Sequence, residues 1–172
     1  DYQQYAIRYI EKHPIAAVLL DMGLGKTSIT LTAINDLLFD SFEVSRVLVI
    51  APIRVTRVWA EEIEKWNHLR GLTYSIAVGT AEERRTALSR KADIYIINRE
   101  NVGWLIDEMP FDFDMIIIDE LSSFKNHQTK RFKALMKARP KAKRIVGLTG
   151  TPTGNGLMDL YAEFRLLDMG QR

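Results

Sequence analysis

Six apolar runs rich in Val, Ile and Leu recur along the chain, at 16–20 (AAVLL), 46–51 (RVLVIA), 73–78 (TYSIAV), 93–98 (DIYIIN), 114–119 (DMIIID) and 144–149 (RIVGLT). They are continuous rather than alternating, the pattern of strands whose two faces are both covered. Helical periodicity fills the gaps at 26–39, 57–67, 81–90, 99–107, 128–138 and about 156–167, and the first ten residues also read as a helix. Strands alternating with helices predict right-handed crossover units and a mostly parallel α/β sheet with helices on both faces. In such sheets ligands bind just outside the carboxyl ends of the strands. Chemistry is therefore expected where each apolar run stops.

Composition narrows the class without naming it. The 172 residues fit one domain with a single substantial core. A formal charge of +2 is too small to argue for nucleic acid or anionic lipid by itself. Cysteine is absent, so disulfides and thiolate metal sites are excluded. His13, His68 and His127 lack ligand spacing, so no histidine metal site is expected. No apolar run approaches the roughly twenty residues that cross a bilayer, and no membrane partner is expected. The first residue is Asp1 rather than Met, so the sequence reads as a piece of something longer.

Three strand ends carry the candidate chemistry. After the first run comes DMGLGKT, 21–27, which opens a helix and so stands where a phosphate-binding loop must stand. Met22, Gly23, Leu24 and Gly25 are expected to turn successive N–H groups into an anion nest, with the helix start at Lys26, Thr27 and Ser28 adding its positive dipole end. Lys26 would reach the β- and γ-phosphates of a nucleotide, and the Thr27 hydroxyl would ligate Mg²⁺. The glycine usual five residues before Gly25 is missing, and Leu20 stands there.

The fifth run ends in Asp119 and Glu120, two adjacent carboxylates with divisible tasks. Asp119 suits the same Mg²⁺, and Glu120 suits polarisation of the attacking water. The sixth run ends in LTGTP, where Thr149, Gly150 and Thr151 offer hydroxyls that could bond the two carboxylates and report the state of the γ-phosphate. No G-x-G-x-x-G follows a strand, which disfavours a nicotinamide site. The run KARPKAKR, 137–144, reads as a solvated connection between helix and strand.

Together DMGLGKT, DELSSFKN (119–126) and LTGTP (148–152) resemble motifs I, II and III of superfamily-two helicases, particularly the Swi/Snf-like DNA translocases. That family does not require the glycine replaced here by Leu20. YQQYAIRYI, 2–10, resembles its Q motif, which implies that Gln3 reads the adenine edge. VLVIAPIRVTRVWAEEIEKW, 47–66, resembles motif Ia and its following helix, and IYIINREN and TGNGLMDLYAEFRLLD resemble further family segments. Leu121 and Ser122 replace the commonest Ala-His, and Arg99 stands where many members carry an aromatic residue.

The resemblance implies an α/β, RecA-like P-loop NTPase lobe of about six or seven strands, covering residues 1–172 as one domain, with ATP and Mg²⁺ as cofactors. It implies movement on duplex DNA, contacted without regard to base sequence through the loop APIRVT. Pro52, Arg54 and Thr56 lead, and Asn98, Lys125 and Asn126 are further candidates. Trp59 and Trp66 lie seven apart on one helix and read as core or lobe packing. A second RecA-like lobe of the same polypeptide would supply arginine fingers. The resemblance also implies a cytoplasmic bacterial or phage protein, or a nuclear one in a eukaryote. Two other readings stand beside it: a lobe of a strand-separating DEAD/DEAH-type helicase or restriction-system motor subunit, and a non-hydrolysing nucleotide- or nucleic-acid-binding module.

Overall fold

The computed structural model of the chain describes residues 1–19, 25–120, 135, 137 and 142–150. Helix α1 (Tyr2–Lys12) leads into β1 (Ile15–Leu19), followed by α2 (Lys26–Phe39), β2 (Val47–Ala51), α3 (Ile53–Lys65) and β3 (Tyr74–Ala77). Then come α4 (Ala81–Ser89), β4 (Ile94–Asn98), α5 (Val102–Glu108), β5 (Met115–Asp119) and β6 (Arg144–Thr149). The strands form one sheet in the order β1-β6-β5-β2-β4-β3, with every described pairing parallel. The six expected strands are thus the six observed among the described residues.

Why the runs are continuous is now visible. Val47, Val49 and Ala51 of β2 point into one core, with Ile94, Ile96, Met115, Ile117, Val146 and Leu148. Their neighbours Leu48 and Ile50 point into a second core, with Tyr95, Ile97, Ile116, Ile118 and Ile145. The first core is closed by α1, α2 and α3 through Ile10, Leu31, Ile34 and Trp59. The second is closed by α4 and α5 through Leu88 and Leu105. Burying one such aliphatic side chain is worth about 1.5–3 kcal/mol, so a polar residue on either face of a central strand would be costly.

Two helices differ from expectation at their starts. The helix expected over 57–67 begins at Ile53, because Pro52 cannot continue the β2 ladder and takes the N-cap with φ −59°. Val55 N donates to Pro52 O (2.8 Å), so the stretch expected as the loop APIRVT is instead a strand end and a first helical turn. The segment expected over 99–107 opens with a 3₁₀ turn, Arg99–Asn101, before α5. Leu135 and Lys137 are helical; the rest of 128–138 and all of 156–167 lie outside the described residues. No described helix is long and apolar enough to cross a membrane.

Arg144 corrects the expectation that 137–144 is wholly solvated. It is buried, and its guanidinium donates to Ile10 O (3.1 Å), Glu11 O (2.9 Å) and Glu43 Oε1 (3.1 Å). A cation on the last carbonyls of α1 complements that end of the helix and ties it to β6.

Beside this anchor, Glu11 is pushed up to about 7 by burial first, then by the Asp36 carboxylate and by Asp40, with Arg144 pulling the other way. A carboxyl whose pKa is higher folded than unfolded holds more protons in the folded chain between those two values. Stability should therefore fall as pH rises from about 4.5 towards about 7. Glu11→Gln should flatten that slope, raising the denaturation midpoint near pH 8 and leaving it unchanged near pH 4. Urea melts across this range check it, and an unchanged slope in the variant would contradict it.

Candidate active site

The site is assembled where the strands end. Register places Leu19 of β1 beside Thr149 of β6, and Leu148 beside Asp119 of β5. The end of β1, the threonine end of β6 and the acidic end of β5 are therefore neighbours in space.

Gly25 caps α2 with φ +78°, a left-handed conformation that favours glycine. Its carbonyl accepts from Ile29 N (2.9 Å) and from Ser28 Oγ (3.0 Å). A methyl at this position would meet Ser28 Oγ at 3.1 Å and Gln3 Nε2 at 3.3 Å. Gln3 of α1 thus lies directly against the start of α2, whose first N–H groups have no acceptor within the helix. Thr27 is buried at the same helix end.

Asp119 is 1% exposed, and both of its oxygens are engaged. Lys26 Nζ donates to Oδ1 (3.1 Å), and the indole Nε1 of Trp59 donates to Oδ2 (3.0 Å). Trp59 is fully buried, so a tryptophan expected only to pack also fixes the orientation of the central carboxylate. Its seven-residue spacing from Trp66 gave no sign of this. Only the polar tip of a buried indole, which ordinarily finds an acceptor, pointed that way.

Glu120 has φ +56°, rare for a residue with a side chain. Such a conformation costs on the order of 1–3 kcal/mol and is found where function holds it. Its carboxylate receives Arg54 Nη2 at 2.9 Å and 3.3 Å. Gln3, Gly25, Lys26, Thr27, Ser28, Arg54 and Glu120 all line one groove of about 760 Å³.

The donor set suits a hard cation. Asp119 and Thr27 offer oxygen only, and Lys26 covers one carboxylate oxygen that a phosphate could free by drawing the ammonium away. Mg²⁺ is typically held by one or two carboxylates plus substrate phosphates and water, so these residues fit it. Among the described residues no group of three or more His, Cys, Asp or Glu could hold a metal unaided.

The expected DNA-facing residues separate. Arg54 keeps 66% of its side chain exposed, on the groove rim. Pro52 is the α3 cap. Thr56 is buried, and its hydroxyl donates to Ile53 O (2.9 Å), which turns that hydroxyl into helix structure. Asn98 is buried on β4, away from the groove, with its amide bonded to Glu100 Oε1 (3.1 Å) and Asn101 Nδ2 (2.8 Å). Gly150 follows β6, and a Cβ there would meet no atom of the described residues within 4 Å. Met22, Gly23, Leu24, Lys125, Asn126 and Thr151 lie outside the described residues.

Comparison with known proteins agrees with this geometry. Residues 4–171 match the profile of the SNF2-related domain. Protein p41 of Acyrthosiphon pisum secondary endosymbiont phage 1 is 37% identical over 180 residues, covering 99% of this chain and 39% of the phage protein. The SWI/SNF-related matrix-associated actin-dependent regulator of chromatin subfamily A-like protein 1 of Xenopus tropicalis is 33% identical, over 83% of this chain and 14% of its own length. The Sulfolobus solfataricus SWI2/SNF2 ATPase core, solved in complex with dsDNA, superposes with a TM-score of 0.80 at 29% identity, over 97% of this chain and 35% of that one. The chain thus spans well under half the length of these relatives. On this match of sequence and fold, the chain belongs to the SNF2-related domain family and has the RecA-like fold of its ATPase core.

Proposed function

We propose that residues 1–172 are the first motor lobe of a DNA-dependent ATPase that uses ATP hydrolysis to move along duplex DNA. The observation that carries this reading is the convergence of Lys26 and Glu120 on one groove at the start of α2, with the buried Asp119 bonded to Lys26 and Arg54 on the groove rim. ATP would set its phosphates on the free N–H groups of α2 and draw Lys26 off Asp119. Gln3, already against Gly25, would meet the adenine edge.

Thr27 and the released oxygen of Asp119 would hold Mg²⁺, which when bound neutralises phosphate charge. Trp59 keeps Asp119 from turning away while this exchange occurs. Glu120 would take a proton from the water as its oxygen attacks the γ-phosphorus and the bond to the ADP oxygen breaks. Thr149, buried on the neighbouring strand one residue past the partner of Asp119, would respond to that event. Arg54 and the unbonded N–H groups at the start of α3 would meet the DNA backbone, a contact blind to base sequence and weakened by salt. The share of the relatives' length left unmatched leaves room for a second lobe that brings arginine fingers.

Purified full-length protein should hydrolyse ATP faster when duplex DNA is added. The 172-residue chain alone should turn over slowly with or without DNA, since arginine fingers are worth on the order of 10³-fold or more. Steady-state phosphate release measures both. Full-length turnover indifferent to DNA would overturn the reading.

A further inference from the structure

We infer that Arg54 is a positioning residue that holds Glu120 out of action until DNA removes it, so that one ion pair couples the DNA rim to the hydrolytic carboxylate. The inference rests on the proposed function and adds to it a device for that coupling.

The pair joins two residues expected to serve different ligands. Arg54 opens α3 and Glu120 follows β5, and both line the groove that begins at Lys26. One guanidinium nitrogen reaches both carboxylate oxygens, at 2.9 Å and 3.3 Å. The left-handed backbone at Glu120, φ +56°, accompanies this aim. Both oxygens of Glu120 are thereby engaged by Arg54, and while the pair stands Glu120 is not free to take up an attacking water.

The same arginine is the accessible member. Its side chain is 66% exposed against 29% for Glu120, so a phosphate can approach Arg54 from solvent without passing the carboxylate. A guanidinium can also offer phosphate two N–H groups of its planar fork at once, where it gives Glu120 a single nitrogen. The N–H groups of Ile53 and Arg54, the first of α3, have no acceptor within the helix. DNA phosphate and Glu120 thus compete for one cation, and the winner decides whether Glu120 is free.

Exposed ion pairs are weak, favouring the closed arrangement at most about five-fold over the open one. The test is kcat at saturating ATP for full-length wild type, Arg54→Gln and Arg54→Lys, with and without duplex DNA. Arg54→Gln should raise the DNA-free kcat by up to about five-fold and lower the DNA stimulation ratio by at least that factor. Arg54→Lys, which keeps charge but not the fork, should fall between. The DNA-free kcat of wild type should also climb with ionic strength, while that of Arg54→Gln should not.

An unchanged or reduced DNA-free kcat in a normally melting Arg54→Gln, with only the DNA requirement raised, would make Arg54 a plain phosphate contact and overturn the gate alone. Absence of DNA stimulation in wild type would overturn the proposed function along with it.

Discussion

Glu120→Gln in the full-length protein is expected to lower kcat for ATP hydrolysis by about 10²–10⁴-fold while ATP still binds. The amide keeps the shape of the carboxylate and can still accept from Arg54, but it cannot take a proton from water. Binding should survive because the groups proposed to grip the phosphates are others: the start of α2, Lys26, and Asp119 acting through Mg²⁺. The fold should survive too, since the Arg54–Glu120 pair is partly exposed and worth at most about 1 kcal/mol. Single-turnover hydrolysis together with equilibrium binding of a fluorescent ATP analogue separates the two effects. A variant that retains full turnover would favour the non-hydrolysing binding module among the readings considered above.

Trp59→Phe should lower folding stability by about 1–3 kcal/mol, a cost far larger than the lost area suggests. The phenyl ring fills much of the indole's space, but Oδ2 of Asp119 loses its only described donor in a site 1% exposed. A buried acceptor left without a partner forfeits its full desolvation cost. Trp59→Ala should cost more, about 3–5 kcal/mol, because it adds a cavity beneath α3. The same Phe variant should raise the KM for ATP, because Asp119 is then free to rotate away from Thr27. Chemical denaturation checks stability and steady-state kinetics checks KM. A Phe variant as stable as wild type would show that the indole bond does not hold the carboxylate.

The sequence was most legible where a single local rule decides the outcome. Strand β6 and helix α2 begin and end at the expected residues, Arg144–Thr149 and Lys26–Phe39. Each has a clear apolar pattern, and the start of α2 follows a glycine needed for its φ. Helix α3 was misjudged at its start because Pro52 acts twice, ending a ladder and capping a helix. Motif spacing singled out Lys26, Asp119 and Glu120; Lys26 and Glu120 line one groove, and Asp119 is bonded to Lys26.

What stayed hidden depends on pairs distant in sequence. Arg54 and Glu120 are 66 residues apart, Trp59 and Asp119 60, and Arg144 and Ile10 134. Each residue alone satisfies an ordinary surface or core expectation, and only the fold chooses its partner. Thr56 and Asn98 fail in the opposite sense. The family resemblance offered both as DNA contacts, yet both are buried and engaged in local hydrogen bonds.

The central claim is that this groove drives movement on duplex DNA, and triplex displacement tests it most directly. Full-length protein should release a third strand from a DNA triplex in an ATP-dependent manner and leave the underlying duplex paired, whereas Glu120→Gln should release no third strand. ATP-driven separation of the duplex strands, or a third strand that stays bound while ATP is hydrolysed, would contradict the account.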